Sequence, residues 1–122
     1  MISDERYPMP LSDTVRHQAD TLLKAFCERR VPSAARDQVR MSHEFRGESV
    51  TLFEDRVRWN NPDEWTHMPI AQFRFDKESG KWTLYCADRN SRWHFYDRAV
   101  PTSNIGVLIN NVDEDPTGIF FG

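Results

Sequence analysis

The sequence predicts an α+β domain: an N-terminal helix, a five-stranded antiparallel meander sheet and a C-terminal helix, with both helices packed on one sheet face. Three observations predict it. Apolar residues recur at helical spacing near each end of the chain. Between them, apolar and polar residues alternate with the two-residue period of a half-buried strand. Short polar turns interrupt that alternation at hairpin intervals.

Each element follows in order. Residues 1–11, with Pro8 and Pro10, form an extended lead-in. Ser12 is placed to cap a helix, and Asp13 suits the positive end of its dipole. Val15, Ala19, Leu22, Leu23 and Phe26 then share one face, Arg29 and Arg30 suit the negative end, and Pro32 closes the helix. Val39, Met41, His43 and Phe45 alternate with Arg40, Ser42 and Glu44, and a glycine-containing turn at 46–49 leads into 50–59. If that turn pairs Phe45 with Val50, His43 faces Leu52. The alternation slips near Glu54 and Asp55, where a β-bulge would return Val57 and Trp59 to the core. Residues 60–65 (NNPDEW) read as a loop or a single helical turn.

Two hairpins follow. Residues 70–75 turn through Lys77–Gly80 into 82–87, and these turn through a four-residue loop, Asp88–Ser91, into 92–97. With those loops Phe75 opposes Trp82, Phe73 opposes Leu84, Ala71 opposes Cys86, Cys86 opposes Trp93 and Leu84 opposes Phe95. Opposed residues share a sheet face, so these form one apolar surface. After Pro101, Thr102 or Ser103 caps a second helix that carries Ile105, Leu108, Ile109 and Val112 on one side. Residues 116–122 end in the apolar run Ile119-Phe120-Phe121, expected to fold back onto the core rather than present an apolar patch to a second subunit. No repeat or low-complexity segment divides residues 1–122, which read as a single domain.

Composition narrows the function classes. The 122 residues are 39% hydrophobic and 12% aromatic, enough for one real core, although the mean hydropathy is -0.71. A net charge of -3 gives no general attraction to nucleic acid or anionic membranes. No stretch is apolar enough to span a bilayer, and Asp4, Glu5 and Arg6 stand where a signal peptide needs an apolar run. The expected location is cytoplasmic, with Cys27 and Cys86 as reduced core thiols.

The same register exposes an opposite face of Gln72, Arg74, Thr83, Tyr85, Arg92, His94 and Tyr96, with Tyr85 directly opposite His94. Aromatics interleaved with arginine suit a protein partner, or a second copy of the chain, through Tyr and Arg anchors. They also suit the stacked bases of single-stranded nucleic acid. Trp65, in its loop, is a further contact residue. Catalytic motifs are missing: there is no G-x-S-x-G, no glycine-rich phosphate loop and no H-E-x-x-H. Asp113, Asp115, Thr117 and Gly118 imitate only the first half of a calcium loop. The four histidines, His17, His43, His67 and His94, have no metal-ligand spacing, and His43 is expected as a satisfied core histidine. Neither a metal nor another cofactor is expected. A metal-dependent enzyme is the third reading, and requires His43 or His94 to meet a carboxylate across elements.

The stretches LFEDRVRW (52–59), NPDEWTHMPIAQFRF (61–75), KWTLYCADRNSRWHFYD (81–97) and DEDPTGIFFG (113–122) carry W-x-L-Y, W-H-x-Y and a terminal G-x-F-F-G. In these the chain resembles the bacterial domain-of-unknown-function family 3024. The family pattern tends toward Arg-Pro-x-Trp at 56–59 and Trp at the position of Cys86, departures that touch packing. The resemblance implies a small stand-alone domain of bacterial origin and brings no activity, cofactor or partner with it.

Overall fold

The computed structural model describes residues 11–122, so the expected lead-in at 1–10 lies outside the described residues. The elements are α1 (Asp13–Arg30), a short 3-10 turn (Ser33–Ala35), β1 (Val39–Arg46), β2 (Ser49–Arg58), β3 (Asn61–Asp76), β4 (Lys81–Ala87), β5 (Trp93–Phe95) and α2 (Ile105–Glu114). The strands form one antiparallel sheet in sequence order. The α+β meander is therefore as its periodicities indicate.

Ser12 caps α1, accepting a hydrogen bond from the Val15 amide. The helix buries Ala19, Leu23 and Phe26, while Leu22 remains 41% exposed. Asn104, rather than Thr102 or Ser103, caps α2 by accepting from the Gly106 amide, and Ile105, Leu108, Ile109 and Val112 are buried. Both helices lie over Val50, Leu52, Ala71, Phe73, Trp82, Leu84 and Cys86, in one continuous core. Each large side chain buried there contributes about 1.5–3 kcal/mol.

The β1–β2 register is the expected one, with Phe45 opposite Val50 and His43 opposite Leu52. Gly47 occupies the first position of the two-residue turn with φ 58, a backbone state that glycine adopts without steric cost. The β3–β4 hairpin also matches: Ala71 faces Cys86, Phe73 faces Leu84 and Phe75 faces Trp82.

Three local expectations need correction. The β-bulge exists, but on β3: Leu52 pairs with Ala71 and the next residue, Phe53, pairs with Pro69, leaving Ile70 as the extra residue. Val57 therefore stays opposite Trp65, on the side of the sheet away from the helices, and Trp59 is 94% exposed at the β2–β3 turn. Residues 61–65 are not a loop but the start of β3, a strand of 16 residues.

The third correction is the β4–β5 register. Cys86 faces His94, Tyr85 faces Phe95 and Ala87 faces Trp93. The loop has three residues, Arg89–Ser91, not four. The Asp88 amide donates to the Arg92 carbonyl, the Asp88 carboxylate accepts from the Asn90 and Arg92 amides, and Ser91 takes φ 60. A three-residue hairpin ending in a left-handed residue is a common closure, and one residue fewer moves every β5 side chain to the other face. Tyr96 is consequently buried and Phe95 is 51% exposed.

Phe120 and Phe121 of the C-terminal run pack back as expected, while Ile119 stays 48% exposed. Asp115 ends α2 at φ 45, and its carboxylate accepts from the Phe120 and Phe121 amides at 3.0 and 2.8 Å. Phe120 is buried against Tyr96, and Arg30 lies over the Phe121 ring.

Candidate functional site

Among the described residues the side of the sheet away from the helices is open, and none of the residues on it is buried. From β1 to β5 it presents Arg40, Ser42, Glu44 and Arg46; Ser49, Thr51, Phe53, Asp55 and Val57; Trp65, His67, Pro69, Gln72 and Arg74; Thr83, Tyr85 and Ala87; then Trp93 and Phe95.

Two linked groups organise it. Gln72 donates to the Thr51 hydroxyl at 2.9 Å and accepts from Arg74 Nε at 2.7 Å. The Arg74 guanidinium carbon lies 3.8 Å from the Tyr85 ring centroid, and Tyr85 meets Phe95 edge-on at 6.1 Å. At the other end, His67 stacks on Phe53 with centroids 3.8 Å apart. Its Nδ1 bonds Asp55 and its Nε2 lies 3.1 Å from Glu44. Arg40 covers the Trp65 ring at 4.2 Å. Between the groups lies a shallow concavity of ≈ 440 Å³ bordered by Arg46, Thr51, Phe53, Gln72 and Trp93.

Gln72, Arg74, Thr83 and Tyr85 thus occupy the face that their parity indicates. Trp65 joins them from a strand rather than a loop. The other three expected contact residues do not. Arg92 closes the hairpin loop opposite Asp88, with Nε 3.4 Å from Asp88 Oδ2. His94 is exposed but opposes Cys86, on the reverse side from Tyr85, with Nε2 2.8 Å from Asp88 Oδ2. Tyr96 belongs to the core, where its hydroxyl has no hydrogen-bond partner among the described residues. Trp93 and Phe95 take their places.

The alternation also gave no reason to single out Phe53 and His67. Reading β3 outward from Gln72 with a period of two puts His67 on the helix side, and the extra residue at Ile70 reverses that. The adjacent apolar pair Ile70-Ala71, both buried, was the available signal.

Acid–base partners are present elsewhere. His43 on β1 meets Asp20 on α1 at 2.7 Å with its side chain 13% exposed; it is satisfied as expected, but half-buried rather than in the core. It also meets the requirement of a carboxylate across elements, and its hydrogen bond holds the Asp20 carboxyl below the usual range. The neighbouring thiol does not complete a nucleophilic pair: burial pushes Cys27 up to about 11, so it remains protonated at neutral pH. Burial likewise raises Cys86. Asp88 is held down to about 2, first by its hydrogen bond with His94 and then by the Arg92 amide. Among the described residues no group of three or more His, Cys, Asp or Glu side chains is arranged to hold a metal ion, and no helix is long and apolar enough to cross a membrane.

No curated protein and no solved structure matches the chain. Residues 11–122, which span the whole described fold, match the family described as a domain of unknown function (DUF3024), and the chain belongs to that family.

Proposed function

We propose that this domain is a non-catalytic binding module whose partner is a protein that docks on the open side of the sheet. The observation that carries the reading is the aromatic and arginine content of that side. Phe53, Trp65, Tyr85, Trp93 and Phe95 sit there with Arg40 and Arg74, and Phe95 leaves 51% of its surface in water. Tyr, Trp and Arg are the residue types that anchor protein interfaces. The polar side chains between them, joined as Thr51–Gln72–Arg74, hold the anchors in defined positions at little further cost on binding.

A pull-down from bacterial lysate tests this. The expected result is capture of a defined protein by the unaltered domain and its loss with Tyr85→Ala/Phe95→Ala, while circular dichroism shows the fold retained. Capture of nothing, or capture indifferent to those substitutions, overturns the reading.

Single-stranded nucleic acid on the same face is the second reading, favoured by Arg74 stacked on Tyr85. It has less support than parity alone lent it, because Tyr96 is buried and Arg92 is held at Asp88. It predicts a gel shift with mixed oligonucleotides at low salt that weakens steeply as salt rises. No shift at low salt removes it.

A further inference from the structure

Among the described residues the sheet has one long free edge. β1 is its terminal strand, and among the described residues no backbone group outside the sheet bonds to Val39–Arg46. The orientation of that edge follows from its inner side. The Gln38 carbonyl accepts from the Val57 amide, and Arg46 and Ser49 flank the two-residue turn. Even-numbered residues therefore direct N–H and C=O at β2. Val39, Met41, His43 and Phe45 direct theirs outward. The strand has neither Pro nor Lys, and its pairing with β2 is free of bulges, so it lacks common devices that stop edges from pairing.

We infer that a second copy of this chain pairs with this edge, β1 against β1, about a two-fold axis at Ser42, to make a continuous ten-stranded sheet. The charges select the register. With Ser42 opposite Ser42, Arg40 faces the second copy's Glu44 twice over, Met41 faces His43 and Val39 faces Phe45. Moving the axis to His43 sets Arg40 against Arg46, and moving it to Glu44 sets Glu44 against itself. Moving it to Met41 leaves Arg40 opposite Ser42. Among these four registers, only the axis at Ser42 pairs both charges. It also makes Met41–His43 and Val39–Phe45 hydrogen-bonded pairs, four across the two-fold, from the outward-facing backbone groups.

There is room on the helix side. A cleft of ≈ 430 Å³ separates α1 from β1, floored by Cys27, Val31 and Met41, and the second copy's side chains at 41 and 43 would enter it. The pairing leaves Tyr85 and Phe95 uncovered and sets the two open faces side by side. It thus covers neither Tyr85 nor Phe95 of the surface proposed above.

Light scattering across a concentration series should give twice the chain mass of 14.4 kDa. Arg40→Glu should weaken dimerisation about tenfold or more, since like charges then face each other, and Arg40→Glu/Glu44→Arg should restore it. Because Arg40 and Glu44 also touch Trp65 and His67, Ser42→Cys supplies an independent test. Its two copies would meet in a close antiparallel pair, about 4.5 Å between Cα atoms, within disulfide reach. Mild oxidation should therefore yield a cross-linked dimer. A monomer at every concentration overturns the inference, whether its Met41 and His43 amides exchange freely or are protected by the chain's own residues. A dimer that neither cross-links at Ser42→Cys nor responds to the charge exchange overturns it too.

Discussion

Arg74 lies over Tyr85, its guanidinium carbon 3.8 Å from the ring centroid, on the side of the sheet away from the helices. The pair belongs to diagonal positions on adjacent strands, since Arg74 opposes Thr83 and Gln72 opposes Tyr85. Gln72 orients Arg74 through a 2.7 Å hydrogen bond from its Nε. A double-mutant cycle with Arg74→Ala and Tyr85→Ala, read by urea unfolding, should give a coupling of about 0.5–1 kcal/mol. A coupling of zero would mean that the contact does not persist in solution.

Tyr96 should tolerate loss of its hydroxyl. The ring packs against Phe120 with centroids 5.0 Å apart, and the buried Oη has no partner among the described residues. An unsatisfied buried hydroxyl costs about 1–3 kcal/mol. Tyr96→Phe should therefore match or exceed the stability of the unaltered chain, whereas Tyr96→Ala should lose about 3–5 kcal/mol by opening a cavity. Thermal unfolding of the two variants distinguishes the ring from its hydroxyl, and a destabilised Tyr96→Phe would contradict the assignment.

The C-terminal run depends on one carboxylate. Asp115 accepts from both the Phe120 and Phe121 amides, and so turns the chain back onto the core. Asp115→Ala removes both acceptors and keeps a non-glycine residue at φ 45. The expected loss is about 2–4 kcal/mol, with earlier proteolytic trimming of the last residues. Unchanged protease resistance at the C-terminus would show that Phe120 burial alone suffices.

Acid should loosen the β4–β5 turn within a definite window. Asp88 titrates near 2 when folded because His94 and the Arg92 and Asn90 amides bond its ionised form, against about 3.9 when unfolded. A depressed carboxyl stabilises the fold fully above the unfolded value, and that contribution disappears as pH falls through the folded one. Protection of the Asn90 and Arg92 amides, taken relative to their intrinsic exchange rates, should fall between about pH 4 and pH 2. In Asp88→Ala, which has no acceptor, that pH dependence should vanish, with protection already low at neutral pH.

Cys27 and Cys86 should react slowly with thiol reagents in the folded chain. Burial holds Cys27 up at about 11 and raises Cys86, so little thiolate exists at neutral pH. Ellman's reagent should label both quickly only after unfolding. Fast labelling of either in native protein would show that its surroundings open readily.

The helices, the meander order and two of the hairpin registers were legible in the chain itself, because each depends on a local period or a local turn. The spacing from Val15 to Phe26 makes a helix wherever it stands, and Gly47 can close a two-residue turn without help from the rest of the fold. What the sequence alone could not decide was parity beyond an irregularity. One extra residue at Ile70 turned His67 and Trp65 toward the open side. One residue fewer in the loop after Asp88 exchanged Tyr96 for Phe95. Each change moves a whole strand segment by a single residue, and in a period of two that reverses every side chain. Composition favours the other alternative for residues 93–96, which would bury Trp93 and Phe95, whereas the register adopted buries Tyr96 and leaves His94 exposed. The choice was made by the Asp88 carboxylate, which holds the Asn90 and Arg92 amides, and by Phe120, which returns from the far end of the chain to cover Tyr96.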